Sequence, residues 1–362
     1  MSESLSKPNT PEAFNHKNLA DIAGLYGLAG LRFVSTPATG IITENAILED
    51  DGGRSYFVKL YISEEMDKLT STYHAAELAA NNPNIPVSLP FKTADNSFTT
   101  TINGMSLALF NYIEHDKIPP ANEQAELRLA SSMAKNLGLI HAVLVSPDDS
   151  LLKPIERWQP NQTERRRQVL TDIITLIQAK TELDDFDTLA LEVATKKLGL
   201  LDRLKDTEDE NDEKGLCHGD FHAHNTLWNE NMDIVAICDW DNAGSSNTYV
   251  DFLNSFVMHV IGRRFDTFQT ERQEIADAFI KSYVEATGQS IDIEKLERAY
   301  HTLMSDRIGT TWPMNQHYLQ GITKQDKTLK YVSEKATALA KHYDEIWNFI
   351  CATINAAKDK LK

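Results

Sequence analysis

The stretch GLCHGDFHAHNTLW, Gly215 to Trp228, gathers His218, His222, His224, Asp220 and Asn225. Such residues can bind a metal, run a reaction or simply satisfy a polar turn. Phosphoryl transfer to a hydroxyl makes the most specific demand. It needs a carboxylate to orient the acceptor and take its proton. It also needs hard oxygen ligands for a Mg²⁺ ion that neutralises the transferred group. Asp220 is followed by Asn225 five residues later, and the apolar run of residues 232–238 then delivers Asp239 in CDWD. In that layout Asp220 is the base, and Asn225 and Asp239 are the metal ligands. Asp241 either assists the metal or bonds the following turn. Zinc competes for the same stretch through Cys217, His218, His222, His224 and Cys238. No Cys-x₂-Cys or HExxH frame supports it, so it is the weaker reading.

A phosphate donor also needs a cation in the cleft. Lys59 in YFVKLY sits in a strand-like alternation, where its ammonium can meet the α- and β-phosphates of a nucleotide. A glutamate on the next helix should fix that lysine, and Glu77 suits by its distance along the chain. Glu64 and Glu65 are rivals, but their place at the helix start is explained by the helix dipole.

The elements that must position these groups fall into two blocks. Residues 1–14 read as a flexible tail. From 15 to 114 the chain reads as a short helix, then alternating strands in LRFVST, TENAILED and RSYFVKLYI, with a turn at Asp50–Gly53. A helix begins near Ser63 and stops before Pro83 and Pro86. Asn103-Gly104 turns a second hairpin. From 115 to 362 the pattern is mainly helical. Leu127, Ala130, Ala134, Leu137, Ile140 and Leu144 mark a core-facing stripe, and further helices cover 161–204, 267–287, 292–308 and 325–359. Residues 205–214 form a charged linker. The expected fold class is α+β and bilobal, a small antiparallel sheet with one helix beside a larger helical lobe. The cleft between lobes is where a ligand would bind.

Composition narrows the partners. With 36 basic and 53 acidic residues the formal charge is −17, which gives no footprint for nucleic acid and is repelled by anionic membrane. On charge alone a cationic acceptor, an amino sugar or amino alcohol, is favoured. Cys217, Cys238 and Cys351 lack the spacing of a disulfide framework, and no secretory or membrane-spanning run is seen, so a cytoplasmic location is expected. Oligomeric state is not legible.

HGDFHAHN, ICDWD, FVKLY and LALFNYIE together resemble the aminoglycoside phosphotransferase and choline kinase-like family, which has the protein-kinase-like fold. The resemblance runs from about residue 20 to 350. It implies that Asp220 is the catalytic base, Asn225 and Asp239 bind Mg²⁺, and Lys59 meets the phosphates of ATP, or of GTP. It also implies that the backbone of Phe110 to Glu114, with Asn111 and Ile113, holds the adenine. Asp251 braces the catalytic loop from a helix, and His218 packs behind that loop. The phosphate-covering loop departs from the pattern: STPATGIITEN carries only Gly40, and Ser35, Thr36 and Thr39 stand where hydroxyls could replace glycine amides. No peptide-docking segment follows CDWDNAGSS, which implies a small-molecule acceptor. Asp306, Trp312 and Tyr318 fall where the family walls its acceptor pocket. His141 reads as a core histidine. An acceptor with a carboxylate, of the homoserine type, would need Arg263, Arg264 or Arg307. The alternative from another class is a kinase-like nucleotide-binding or regulatory protein with little catalysis.

Overall fold

The computed structural model describes residues 14–37, 43–61, 66–102, 104–114, 123–146, 148–202, 204, 214–261, 272–323 and 326–360. Residues 1–13 of the expected tail (1–14), most of the linker (205–213), Thr39 and Gly40, Ser63 to Glu65, Asn103, and Arg263 and Arg264 lie outside them, while Phe14, expected in the tail, is buried in the core beneath the sheet.

The N-terminal lobe is an antiparallel five-stranded sheet in the order β1-β2-β3-β5-β4. Its strands are β1 (Arg32–Ser35), β2 (Thr43–Glu49), β3 (Ser55–Tyr61), β4 (Thr100–Ile102) and β5 (Met105–Asn111). Strand alternation divides β3. Val58 and Leu60 join Leu48, Leu107 and Leu109 under helix α1 (His16–Leu25), which contributes Leu19 and Ile22. Tyr61 points to the other face, toward Leu69 and Tyr73 of helix α2 (Met66–Ala80). Lys59 shares the Tyr61 parity, opposite Asn45 on β2 and Ala108 on β5. The predicted hairpins are present: Ile102 pairs with Met105 across the second turn, and Asp50 accepts from the Gly52 and Arg54 amides in the first.

Helices dominate the second lobe: α3 (Glu123–His141), α4 (Gln162–Gln178), α5 (Asp185–Leu201), α6 (Thr248–Phe256), α7 (Gln273–Thr287), α8 (Ile293–Gly309), α9 (Met314–Gln320), α10 (Leu329–Lys341) and α11 (Tyr343–Lys360). The stripe on α3 is buried from Ala130 to Ile140, but Leu144 is 95% exposed because the helix stops at His141 and its periodicity with it. The expected helix over 325–359 divides into α10 and α11 at His342. No helix among the described residues is long and apolar enough to cross a membrane.

Two small antiparallel ribbons lie between the lobes: β6 (Lys214–Cys217) with β9 (Gly244–Asn247), and β7 (Thr226–Trp228) with β8 (Ile234–Ile237). The Ile237 amide donates to Pro86 O at 2.6 Å, and the Ser88 amide to Ile237 O at 2.9 Å. The segment after α2 is thereby stitched to the strand that leads into Asp239.

Candidate active site

Strand β6 delivers the loop that begins at His218. Gly219 has φ +81°, and a Cβ there would lie 2.1 Å from Asn242 O, so this loop and the 240–242 turn pack backbone to backbone. His218 is fully buried and joins the two halves of the site. Its Nε2–H donates to Cys238 O at 3.0 Å, and its Nδ1 accepts from the Asp220 amide at 3.3 Å. Burial lowers its pKa, consistent with a neutral ring in that tautomer. The His218 amide donates to Asp251 Oδ2 at 2.8 Å, and Asp251 also meets His141 Nε2 at 3.3 Å. His141 and Tyr283 OH are 2.8 Å apart. Both residues therefore sit behind the loop as a polar brace.

Asp220 faces Asn225 and His222. The Asn225 amide nitrogen donates to Asp220 O at 2.9 Å and, more weakly, to its Oδ2 at 3.4 Å. This orientation leaves the Asn225 side-chain oxygen as the end that could ligate a cation. His222 Nδ1 accepts from the His224 amide at 3.2 Å, so its Nε2 carries the proton toward Asp220 Oδ2, 3.4 Å away. Burial alone would raise the Asp220 pKa. The His222 hydrogen bond, with the Arg307 and Arg157 guanidiniums, outweighs it and holds the carboxyl well below the usual range.

The register of β7 with β8 brings the second half of the site alongside. The Cys238 amide donates to Asn225 O at 2.8 Å, so Asn225 and Asp239 leave adjacent strand ends. Asp239 adopts the left-handed conformation, φ 60° and ψ 55°, a rare backbone for a non-glycine residue. Lys59 Nζ lies 2.6 Å from Asp239 Oδ1 and 2.6 Å from Asp241 Oδ2. Burial would lower the Lys59 pKa, but Asp241 and Asp239 together raise it. Removal from water raises Asp241, against the pull of Lys59. Tyr61 OH donates to the other Asp241 oxygen at 2.9 Å and is 2.5 Å from Tyr73 OH.

Glu77 is placed differently from expectation. It pairs with Lys92 at 2.7 Å, with both side chains partly exposed. From α2 it is Tyr73 that connects to this group, through Tyr61 to Asp241, and Lys59 already has two carboxylates from the 239–241 turn. Asn111 ends β5 and accepts through Oδ1 from Arg54. The Tyr112 amide is bonded to Ser55 O at 3.2 Å, and Ile113 follows half-buried.

Toward α8 the loop meets groups that pattern reading missed. Arg157 lies in a short turn of 3₁₀ helix, Glu156–Trp158, and its Nη2 donates to Gly219 O. Asp306 accepts from Arg166 at 3.0 Å and from Trp158 Nε1 at 3.4 Å, with Arg157 Nε 3.8 Å away. Arg157 and Arg166 carry no periodicity or spacing that marks them; an arginine beside a tryptophan in IERWQP was the available hint. His222 was in view but not assigned to the base. Trp312 Nε1 donates to Gln316 at 2.9 Å. Tyr318 donates to Asp187 at 2.7 Å and packs with Phe186 and His317, in the apolar cluster of α4 and α5. The histidines of the loop are not gathered for zinc: among the described residues the group close enough to share an ion is His141, Cys217 and Asp251, behind the loop.

The family model for the phosphotransferase enzyme family matches residues 34–293. No curated protein sequence matches the chain. Solved structures with a similar fold include a spectinomycin phosphotransferase in complex with ADP and spectinomycin, at TM-score 0.62 and 18% identity, covering 92% of this chain and 99% of that one. An aminoglycoside phosphotransferase from Alicyclobacillus acidocaldarius has TM-score 0.55 and 13% identity over 98% of each chain. An amicoumacin kinase in complex with AMP-PNP and Ca²⁺ has TM-score 0.58 and 16% identity, covering 89% of this chain and 92% of that one. At these identities the likeness is one of fold.

Proposed function

The chain belongs to the phosphotransferase enzyme family, and on that premise we propose that it transfers the γ-phosphate of ATP to a hydroxyl of a small molecule with Asp220 as base. The observation that supports this best is convergence. Lys59 from the sheet lobe reaches 2.6 Å from both Asp239 and Asp241, while Asn225 and Asp220 stand on the adjoining loop. Asp239 and the Asn225 carbonyl are hard oxygen donors that fit Mg²⁺, with Asp241 beside them. Bound there, the ion supplies neutralisation of phosphate charge. Lys59 adds a fixed cation for the nucleotide phosphates, and Asn111 and Ile113 continue into the segment that would hold the adenine. Nucleotide complexes of the similar structures support ATP as donor.

In the reaction Asp220 accepts a hydrogen bond from the acceptor hydroxyl and holds its oxygen in line with the γ-phosphorus. As the new O–P bond forms, the bond to the β-phosphate oxygen breaks, ADP leaves with the electron pair, and the proton passes to Asp220. A carboxylate held so far below its usual pKa is a weak base. That suits a loose transition state, in which the acceptor oxygen keeps its proton until bond formation is well advanced. Orientation is then its main contribution. The free state of all three cysteines supports a reducing compartment, hence the cytoplasm.

ADP release and MgATP binding test the assignment together. Asp220→Asn should lower turnover by about 10²–10⁴-fold while MgATP still raises the melting temperature. Asp239→Asn should lose most of the Mg²⁺-dependent protection. Wild-type turnover in either variant would refute the assigned roles.

A further inference from the structure

Overall charge favours a cationic acceptor, but the groups facing Asp220 carry the opposite sign. Arg157 sits against the residue before the base through its bond to Gly219 O, with its guanidinium 4.9 Å over the Trp158 ring. Among the described residues that is its single hydrogen bond. Its Nε is buried and donates none, since Asp306 Oδ2 at 3.8 Å is beyond hydrogen-bond reach. Arg307, on α8, donates to Asn254 Oδ1 and lies within electrostatic reach of Asp220, Asp306, Asp251 and Arg157. Burial pushes its guanidinium below the usual value, and Arg157 adds to that push.

The carboxylates nearby are committed. Asp306 is bonded to Arg166 and Trp158, Asp251 to the His218 amide and His141, and Asp220 is needed by the acceptor hydroxyl. Asp306 takes up Arg166, so Arg157 and Arg307 are the guanidiniums left within electrostatic reach of Asp220. Buried guanidiniums are ordinarily paired, and their planar forks match carboxylate and phosphate oxygens. An ammonium placed here would be repelled by both arginines, whatever the sign of the outer surface.

We infer that the acceptor bears an anionic group, a carboxylate or a phosphate, beside the hydroxyl it offers to Asp220, and that Arg157 and Arg307 receive it. This rests on the phosphotransfer proposed above and specifies its substrate class. It places Asp306 and Arg166 as positioning residues that hold the arginines rather than as a seat for a cation.

Pairs of alcohols differing by one anionic group test it: serine against ethanolamine, glycerate against ethylene glycol, and glycerol 3-phosphate against glycerol. ADP release by the full chain with MgATP is measured above the solvent-only baseline. The anionic member should lead in kcat/KM by about tenfold or more, as charge-assisted hydrogen bonds require. The first two pairs report a carboxylate and the third a phosphate. Arg157→Gln should shrink that preference ratio through the KM of the anionic member, and Arg157→Lys should restore part of it. Arg307→Lys provides a second, milder perturbation. Preference for ethanolamine or the neutral alcohols overturns the inference and leaves phosphotransfer standing. Silence of every anionic alcohol in a protein that binds MgATP also overturns it. So does an equal fall for both members of a pair in Arg157→Gln and Arg307→Lys, which is the mark of a structural role. Failure to bind MgATP at all sinks the phosphotransfer reading beneath it instead.

Discussion

Lys197 offers a quantitative check on the packing of α5 against the end of α8. It sits on α5 at 1% exposure and donates to Thr310 O at the end of α8, three residues beyond Arg307. Burial lowers its pKa from 10.5 to about 7, with the charge of Asp306 opposing the shift. The unfolded chain binds a proton at this lysine up to about pH 10, whereas the folded protein releases it near pH 7. Between those limits the unfolded state holds more protons, so stability rises with pH by up to about 1.4 kcal/mol per unit from this residue alone. Below about pH 7 both states are protonated, and the full cost of burying the ammonium, roughly 5 kcal/mol, is present. Lys197→Met removes the titration and keeps most of the volume. Losing the bond to Thr310 O subtracts about 1 kcal/mol at every pH. The difference in stability, variant minus wild type, should therefore grow in the variant's favour by about 2 kcal/mol between roughly pH 9 and pH 7. It should level off below that. Urea unfolding of both proteins across this range is the assay. Parallel stability profiles would show that the lysine is not neutral in the fold, and the account of this packing would be wrong.

Gly219→Ala should cost about 2 kcal/mol from its left-handed backbone alone. It should also abolish most turnover, because its Cβ would lie 2.1 Å from Asn242 O and must push the catalytic loop off the 240–242 turn. Gly53→Ala, at φ +80° with open space around the added carbon, should show only the backbone cost and normal turnover. A harmless Gly219→Ala in urea unfolding and ADP release would contradict the packing. His222→Leu removes the largest influence that lowers the Asp220 pKa. The active form is the carboxylate, so the acidic limb of the kcat/KM profile should move to higher pH, and an unmoved limb would exclude His222 from setting the base.

Local pattern carried much of the fold and the polar half of the site. Strand alternation placed Lys59 on a sheet, Asn-Gly and Asp-Gly turns placed the hairpins, and the three-and-four periodicity placed α3. A five-residue offset and an apolar strand were enough to nominate Asp220, Asn225 and Asp239, because neighbouring strand ends fix their spacing almost independently of the rest of the chain. Where a helix stops is less local: Leu144 continues the α3 stripe in sequence but lies beyond the helix and in solvent.

Pairings between distant segments were another matter. Spacing favoured Glu77 as the partner of Lys59, but the lysine bridges Asp239, 180 residues away, and Asp241 just beyond it, while Glu77 meets Lys92. An ion pair is decided by which charges folding brings within a few ångströms, and chain distance does not encode that. The sign of the charge around Asp220 follows the same rule. The sequence by itself determined a net charge of −17, a property of the whole surface. Only the tertiary structure decided that Arg157 and Arg307 come within reach of Asp220, because burial strengthens nearby charges while solvent screens those outside.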